Sequence, residues 1–429
     1  MLNLASLLED SARRHPDRDA VVLGDTRLDY KSVNAAANQV ANLLASRGIR
    51  PGDKVALSCP NVPQFPIIYY GILKAGAVVV PLNILFKGRE VAYHLADSEA
   101  RAYLCFEGSE ALPTGSAGWD GFRQVSACEH FFLITASIGA NTPIEGAEIF
   151  AASLAGQPPV FESAATESTD TAVILYTSGT TGKPKGAELS HANLVLNAMT
   201  CNRMFGATVS EHERHLLALP LFHTFGSTVQ MNAGFSAAAT LVLLPRFDAR
   251  QAVGLLQEED ITFFARVPTM YWALLGALSD DIDVDRIARH MRIAVSGGAS
   301  LPVEITKRFR DRFHVRILEG YGLSETSPVA MFARPERDTR PGSIGIPVWG
   351  VEAKLIDEDW NTVDGYGEEK VGEIAIRGHN VMKGYYNRPE ATAEVMKDGW
   401  FRTGDLARRD EDGHYYIVDR ARRLQRVPA

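Results

Sequence analysis

The chain has 429 residues, a net charge of −8 and a hydrophobic fraction of 46%, values typical of a globular protein with more than one structural unit. The acidic balance disfavours nucleic-acid binding. The most apolar stretch, 71–86, is interrupted by Lys74 and Pro81, so no transmembrane segment is predicted, although peripheral contact with a membrane stays open. Charges near the N-terminus argue against a signal peptide, and the four cysteines lack disulfide or metal spacing. We therefore expect a cytoplasmic protein, whose oligomeric state the sequence does not define.

Helices and strands alternate in the first part of the chain. The periodicity predicts a helix over 32–46, a strand over 54–58, a helix over 65–75 and a buried strand over 77–80. Such alternation predicts a parallel sheet covered by helices. The segment 138–170 is rich in small and polar residues, so we interpret it as a surface connection.

A second alternation begins at residue 171 and gives way to a β-rich part after residue 342. The strands predicted for these two parts are 171–176, 240–244, 262–265, 292–296, 316–318, 352–357, 372–377 and 415–418. The sequence thus predicts an α/β protein with two helix-covered, mostly parallel sheets and a smaller β-rich subdomain. The expected limits are about 1–165, 166–340 and 341–418.

The strongest chemical signal is a loop rich in glycine, serine and threonine at 176–186, Tyr-Thr-Ser-Gly-Thr-Thr-Gly-Lys-Pro-Lys-Gly. It follows an apolar strand, and we expect a helix capped by Ser190 after it. Such a loop can point backbone N–H groups and hydroxyls at phosphate oxygens, and Lys183 and Lys185 add positive charge. The loop lacks the spacing of a Walker loop. A flexible linker, the common role of this composition, is disfavoured by the position between a strand and a helix.

This loop resembles the signature of the adenylate-forming superfamily, which includes acyl-CoA synthetases, firefly luciferase and the adenylation domains of peptide synthetases. Further segments resemble that family in matching order: Pro-Leu-Phe-His-Thr-Phe-Gly at 220–226, Ser-Gly-Gly-Ala at 296–299, Glu-Gly-Tyr-Gly-Leu-Ser-Glu-Thr at 319–326, Trp-Phe-Arg-Thr-Gly-Asp at 400–405 and Asp-Arg at 419–420. The resemblance spans roughly residues 10–420. It implies the fold of the family's large N-terminal domain, in which the β-rich subdomain is barrel-like.

The resemblance also implies a nucleotide site. Tyr321 would stack on adenine, Asp405 and Arg420 would hold the ribose, and Glu325 with Thr177 would hold Mg²⁺ at the phosphates. The implied nucleotide contacts are Thr177, Ser178, Gly179, Thr180, Thr181, Gly182, Lys183, Gly298, Ala299, Glu319, Gly320, Tyr321, Gly322, Ser324, Asp405 and Arg420, and the implied catalytic residues are Lys185, His223 and Glu325. The competing interpretations are structural: a core tyrosine, an exposed glutamate, a turn-capping aspartate and a solvated arginine.

The acid-binding positions implied by the resemblance are His223, Phe225, Val267, Gly297 and Gly298. A histidine in an apolar run can equally be a core residue. Residues 216–247 contain no Asp or Glu, so the ammonium group of an amino acid would lack a partner there. Apolar residues that could line a tunnel favour an aliphatic acid: Phe222, Phe225, Val229, Met231, Phe235, Phe263, Phe264, Val267, Met270 and Trp272. The sequence resembles bacterial long-chain fatty-acid–CoA ligases most, and an aryl acid is the alternative.

The implied reaction uses small molecules only: a medium- or long-chain fatty acid, ATP and coenzyme A, with Mg²⁺. The acid is converted to acyl-AMP with release of pyrophosphate, and coenzyme A then displaces AMP. Members of the family continue into a small C-terminal lid domain, so we interpret 419–429 as a remnant of the interdomain hinge and expect the lid to be absent and activity reduced. Two hypotheses follow, a ligase of the fatty-acid–CoA type and a catalytically weak nucleotide- and acyl-binding remnant. Light emission is disfavoured, because nothing indicates a luciferin-shaped site.

Overall fold

The computed structural model describes residues 1–136, 144–177, 183–336 and 340–420. The strands in these ranges are β1 (Asp19–Leu23), β2 (Thr26–Asp29), β3 (Lys54–Ser58), β4 (Val78–Pro81), β5 (Ala100–Phe106), β6 (His130–Ile134), β7 (Glu148–Ile149), β8 (Thr171–Thr177), β9 (Lys185–Ser190), β10 (Arg214–Leu217), β11 (Thr240–Leu243), β12 (Phe263–Arg266), β13 (Ile293–Ser296), β14 (Ile317–Gly322), β15 (Val329–Phe332), β16 (Ile346–Pro347), β17 (Val351–Ile356), β18 (Val371–Gly378), β19 (Gly384–Tyr385), β20 (Met396–Lys397), β21 (Trp400–Arg409) and β22 (Tyr415–Arg420).

The helices in the same ranges connect and cover these strands. They are α1 (Ser6–Arg14), α2 (Tyr30–Ser46), α3 (Gln64–Lys74), α4 (Gly88–Asp97), α5 (Thr114–Phe122), α6 (Phe150–Leu154), α7 (His191–Phe205), α8 (Ala233–Ser236), α9 (Ala249–Glu258), α10 (Pro268–Gly276), α11 (Val284–His290), α12 (Val303–Phe313) and α13 (Pro389–Val395), with a π-helix at Phe225–Asn232 and a 3₁₀ turn at Ser324–Thr326. Among the described helices, none is long and apolar enough to cross a membrane.

The described strands form three sheets. The first has the order β19-β9-β8-β4-β3-β5-β6-β7, and the second has the order β16-β15-β14-β13-β12-β10-β11-β1-β2. Neighbours are parallel from β8 through β4 to β7 and from β14 to β1. They are antiparallel at the β19-β9-β8 end of the first sheet and at both ends of the second sheet. The third sheet, β17-β18-β21-β20 with β22 on β21, is antiparallel and forms a half-barrel. The predicted fold class is confirmed.

The largest hydrophobic core lies between the first and second sheets, where α2, α3 and α7 pack. Helix α2 has an N-cap residue, Asp29, whose side chain accepts a hydrogen bond from the Ser32 N–H. Its apolar stripe meets α3 at Gly71, where a Cβ would lie 2.5 Å from the Cβ of Val40 and 2.8 Å from the carbonyl oxygen of Ala37. Glycine is therefore required at position 71 by the close approach of the two helices.

The sheets exchange strands across the predicted subdomain limits. Strands β1 and β2 lie in the second sheet although they precede residue 165, and β8 and β9 lie in the first sheet although they follow it. Strand β19, from the part of the chain after residue 341, pairs with β9 in the first sheet. Asp419 and Arg420, which we predicted to begin a hinge, are the last residues of β22. The three subdomain limits therefore stay a proposal. The first and second sheets each combine strands from more than one of these segments.

Two local expectations need correction. The segment 138–170 is not only a connection, because its described part contains β7, which pairs with β6, and α6. The loop at 176–186 is not followed directly by a helix. Strand β9 intervenes and pairs antiparallel with β8, so the loop joins two neighbouring strands, and α7 begins only at Ser190, which caps it as expected.

Candidate functional site

The connections of the second sheet diverge at β10 and β12. After β10 the chain moves to β11 on one side, then returns to β12 on the other side of β10 and continues to β13. At such a switch of direction the carboxyl ends of two parallel strands leave a crevice in which ligands bind. Eight of the predicted site residues follow the carboxyl ends of β10, β12, β13 and β14, and four more form the last residues of β14. We call Glu319, Tyr321, Asp405 and Arg420 the nucleotide half, and His223, Phe225, Val267, Gly297 and Gly298 the acid half.

In the nucleotide half, three residues predicted from separate motifs are joined by a hydrogen bond and an ion pair. The Tyr321 hydroxyl donates to Oδ2 of Asp405 at 2.7 Å, and Nε of Arg420 lies 3.0 Å from Oδ1 of the same carboxylate. Asp405 on β21 and Arg420 on β22 are register partners. Burial and the neighbouring Asp405 carboxylate raise the pKa of Tyr321, so its hydroxyl keeps its proton and stays a donor.

The glycines beside Tyr321 are required by packing. A Cβ on Gly320 would lie 2.2 Å from the ring of Phe332, and one on Gly322 would lie 1.9 Å from the carbonyl oxygen of Pro328. These glycines let β15 lie closely against β14, and they leave the backbone on either side of the tyrosine bare. This packing is the structural reason for the Gly-Tyr-Gly sequence.

Glu319 and the segment after β13 complete the nucleotide half. The Glu319 carboxylate accepts the Leu301 N–H at 3.3 Å, and burial raises the pKa of Glu319 to about 7. Gly298 has φ = +82°, a left-handed conformation that glycine adopts without strain, and both it and Ala299 are exposed. The backbone at 298–299 is therefore open to a ligand.

The predicted metal and phosphate residues meet at the ends of β8 and β9. Thr177 and Lys185 are register partners, and the Thr177 hydroxyl lies 3.5 Å from the Lys185 carbonyl oxygen. Glu325 is buried and lies with the half-buried Ser324 in the 3₁₀ turn after β14. The Tyr385 hydroxyl donates to Oε1 of Glu325 at 2.9 Å, and the Lys185 ammonium lies 5.1 Å from the centre of the Tyr385 ring. Tyr385 thus links the glutamate to the lysine.

The phosphate loop itself is only partly described. The predicted contacts Ser178, Gly179, Thr180, Thr181 and Gly182 lie outside the described residues. Lys183 is exposed, with its ammonium 5.6 Å from the centre of the Tyr93 ring, and the Tyr93 hydroxyl donates to the Pro184 carbonyl oxygen at 2.7 Å. Lys183 is therefore free of carboxylate partners among the described residues and is available to an anion.

The donors at this place fit a hard cation. Thr177 offers a hydroxyl and Glu325 a carboxylate, both of which are oxygen ligands that Mg²⁺ prefers. Within the described ranges, no group of three or more His, Cys, Asp or Glu side chains could hold a metal ion by itself. A Mg²⁺ ion here would consequently need phosphate oxygens and water to complete its coordination.

In the acid half, the structure brings four predicted positions together. A Cβ on Gly297 would lie 3.2 Å from the Phe225 ring, and one on Gly298 would lie 3.7 Å from Cγ1 of Val267. Phe225 begins the π-helix, where Gly226 is required because a Cβ would lie 2.5 Å from the Pro220 carbonyl oxygen. Helices of this type are frequent at functional sites.

His223 precedes the π-helix and is solvent-exposed. The surrounding protein nevertheless desolvates the imidazole ring, which lowers the pKa of His223 and favours its neutral form. Its segment is fixed by the buried Asn61, which donates to the carbonyl oxygen of Leu219 at 2.9 Å and accepts the N–H of Leu221 at 3.0 Å. The first sheet thereby contributes to the position of His223.

The predicted apolar tunnel is not formed by all the residues named for it. Val229, Met231 and Phe235 are fully buried in the main core. Phe263 and Phe264 point to opposite faces of the sheet, because neighbouring residues of a strand alternate, and Phe264 belongs to the separate core on the outer face. Trp272 is 57% exposed and lies against Arg308 at the surface. The sequence alone could not distinguish residues that line a tunnel from residues of the hydrophobic core.

Two residues of interest were missed by the sequence analysis. Tyr385 lies on β19, and only the long-range pairing of β19 with β9 brings it to Glu325. Arg266 is the last residue of β12 and is fully buried. Its signal was available, because a single charge within the apolar run 263–267 is unusual in a buried strand.

Comparison with known proteins shows the family of the chain. The family described as AMP-binding enzyme matches residues 8–386. A long-chain-fatty-acid–CoA ligase of Bacillus subtilis is 33% identical over 97% of this chain and 76% of that protein. A feruloyl-CoA synthase of an Amycolatopsis species is 33% identical over 95% of this chain and 77% of that protein. The solved structure of apo MatB from Rhodopseudomonas palustris has a TM-score of 0.86 at 30% identity, covering 98% of this chain and 79% of that chain.

Proposed function

Because this chain belongs to the AMP-binding enzyme family, we propose that it activates a carboxylic acid with ATP and transfers the acyl group to coenzyme A. In the first step an oxygen of the acid carboxylate attacks the α-phosphorus of ATP, the bond to pyrophosphate breaks, and acyl-AMP forms. In the second step the thiol of coenzyme A attacks the acyl carbon, and AMP leaves. Both steps need positioning and stabilisation of developing negative charge more than they need strong acids or bases.

The observation that carries this proposal is the contact of Asp405 with both Tyr321, through a hydrogen bond, and Arg420, through an ion pair. It joins the positions proposed for adenine and ribose although they come from strands of two different sheets. A carboxylate held between a tyrosine and an arginine is oriented before the ligand arrives, so it can accept the two ribose hydroxyls without reorganisation.

The phosphates would bind where Thr177, Lys183 and Lys185 lie. The two lysines supply positive charge, and Glu325, oriented by Tyr385, would hold Mg²⁺ together with Thr177. When bound, the ion would neutralise charge on the phosphates. The neutral His223 would orient the acid carboxylate beside them.

The acid is proposed to lack an ammonium group. The apolar side chains of the acid half, Phe225 and Val267, support an aliphatic acid such as a fatty acid. They would also accept an aryl acid. The relatives named above include enzymes for both kinds of acid. The four cysteines are free and buried, which supports the proposed location in a reducing cytosol.

Calorimetry with Mg-ATP and with AMP, followed by a pyrophosphate-release assay with single acids, tests the proposal. We expect both nucleotides to bind and pyrophosphate to appear only when an acid is present. Absence of nucleotide binding would contradict the proposal. Nucleotide binding without acid-dependent pyrophosphate release would instead favour the alternative of a catalytically weak remnant.

A further inference from the structure

Helix α4 contacts both described ends of the phosphate loop (176–186). At the first end, the Tyr176 hydroxyl donates to Oδ2 of Asp97 at 2.8 Å. At the second end, the Tyr93 hydroxyl donates to the Pro184 carbonyl oxygen at 2.7 Å. Tyr93 and Asp97 are one helical turn apart, so their side chains lie on the same side of α4. A single helix therefore holds the two places between which the loop extends.

This helix supports the loop from the face of the first sheet that is turned away from the second sheet. Tyr176 packs against the separate core cluster that contains Val91 of α4. Thr177 points to the opposite face, because neighbouring residues of a strand alternate, and its register partner Lys185 lies on that same face. A ligand bound by Thr177 and Lys185 would thus have the loop between itself and α4.

The ring of Tyr93 also contacts the first lysine of the loop. The Lys183 ammonium lies 5.6 Å from the centre of that ring. Asp97 is close by, but Oδ2 accepts the Tyr176 hydroxyl and Oδ1 pairs with Arg388. An aromatic ring attracts an ammonium group without cancelling its charge. Lys183 is therefore held in place while its positive charge stays available to an anion.

Packing fixes the second end of the loop just beyond this contact. A Cβ on Gly186 would lie 2.5 Å from Cγ2 of Ile174 and 3.3 Å from the ring of Tyr176, so β9 and the Tyr176 ring approach each other closely. Pro184 lies two residues before this glycine. The hydrogen bond from Tyr93 thus extends the fixed part of the chain from β9 into the loop.

We propose that Tyr93 is a positioning residue for the phosphates of ATP: its hydroxyl and its ring hold Pro184 and Lys183 where the β- and γ-phosphates bind. The inference rests on the proposed function. A loop that is held before the ligand arrives loses less conformational freedom on binding, so the phosphates bind more tightly. AMP lacks the β- and γ-phosphates and should depend mainly on the nucleotide half. Tyr93 should therefore matter for ATP and little for AMP.

The test compares the dissociation constants of Mg-ATP and of AMP, measured by calorimetry in the absence of an acid. Tyr93→Phe removes the hydroxyl and keeps the ring, whereas Tyr93→Leu removes both. Tyr386→Phe is the matched control, because the Tyr386 hydroxyl donates to Glu99, directly after α4 and its cap. The quantity compared is the ratio of the dissociation constant of Mg-ATP to that of AMP.

We expect Tyr93→Phe to weaken Mg-ATP binding by about threefold to tenfold, because one hydrogen bond to the loop is lost. Tyr93→Leu should weaken it by about tenfold to thirtyfold, because the contact of the ring with Lys183 is lost as well. Both variants should bind AMP like the native chain, and the control should keep the native ratio. A general loosening of the fold would instead weaken both nucleotides together.

The inference is overturned if both Tyr93 variants keep the native ratio, whether neither affinity changes or both fall by the same factor. It is also overturned if Tyr386→Phe raises the ratio as much as Tyr93→Phe does. If Tyr93→Leu does not fold, Tyr93→Phe decides. These outcomes leave the proposed function intact, provided that the native chain binds both nucleotides. Binding of neither nucleotide by the native chain refutes the proposed function, and the inference with it.

Discussion

The nucleotide half and the acid half are built at the ends of neighbouring strands, yet their buried polar groups differ in how completely they are paired. Both carboxylate oxygens of Asp405 have partners, Tyr321 and Arg420, before any ligand binds. In the π-helix that begins with Phe225 of the acid half, Thr228 and Gln230 keep buried polar atoms without partners in the described chain. The nucleotide half is therefore organised before any ligand binds, as the proposed nucleotide site requires. The π-helix at the acid half is paired less completely.

The largest effect should come from adding a methyl group where the nucleotide half is tightly packed. Gly322→Ala places a Cβ 1.9 Å from the Pro328 carbonyl oxygen, so β14 and β15 have to separate, at a cost of about 3 kcal/mol. In the acid half, Gly297→Ala meets only the Phe225 ring at 3.2 Å and should cost about 1 kcal/mol or less. Urea unfolding of both variants measures the difference. Equal losses in the free energy of unfolding would show that the two halves are packed equally tightly.

Asp405→Ala should weaken AMP binding by about 1–3 kcal/mol, because two charge-assisted hydrogen bonds to the ribose would be lost. Calorimetry measures this change. Asp412→Ala removes an exposed carboxylate in the turn between β21 and β22, where it pairs with Arg340, and it should leave AMP affinity unchanged. If Asp405→Ala also binds AMP as the native chain does, Asp405 does not belong to the site.

The ionisation of Glu319 should make the stability of the folded protein depend on pH. Because its pKa is raised from 4.5 to about 7, the folded state keeps a proton that the unfolded chain releases, and stability is lost as the pH rises through this interval. Glu319→Gln removes that ionisation. At pH 8 the variant should be more stable than the native chain by about 1–3 kcal/mol, and the advantage should vanish near pH 4.5. Denaturant unfolding at several pH values tests this, and a difference that does not change with pH would contradict it.

The smallest effect should come from Tyr385→Phe. Loss of the hydroxyl removes one hydrogen bond to Glu325, which costs about 1 kcal/mol and should raise the Mg²⁺ concentration needed for pyrophosphate release by several-fold. Tyr386→Phe is the matched control, since the Tyr386 hydroxyl donates to Glu99 away from the site. The same Mg²⁺ requirement in both variants would show that Tyr385 does not orient Glu325.

Local patterns were sufficient for much of the fold and for the nucleotide half. The apolar stripe of α2 and the predicted strands were predictable to within two residues, except that β14 continues four residues further, because periodicity and caps act over short distances. Tyr321, Asp405 and Arg420 were named from short motifs, and the structure brings them into contact. Their roles toward a nucleotide stay predictions.

The rest depended on pairings between distant parts of the chain. No local pattern near Tyr385 indicates that β19 joins the first sheet, and none near Phe263 or Trp272 indicates which apolar residue faces the acid. Strand β9 was missed because a loop of small residues followed by a capped helix is also compatible with a direct connection. Arg266 was not predicted, because the apolar residues on either side of it are typical of a buried strand.

The exchange of strands between the sheets has a consequence for synthesis of the protein. Strand β1 pairs with β11 through Val21 with Leu241 and Val22 with Val242, so about 220 residues separate the partners. At roughly 5–20 residues per second, the ribosome needs about 10–45 s to produce β11 after β1 has been made. During that time the β1–β2 hairpin has an unpaired edge of buried-type residues, which is a template for association with other chains. The earliest part of the chain is therefore the part that most needs protection by a chaperone while the rest is being made.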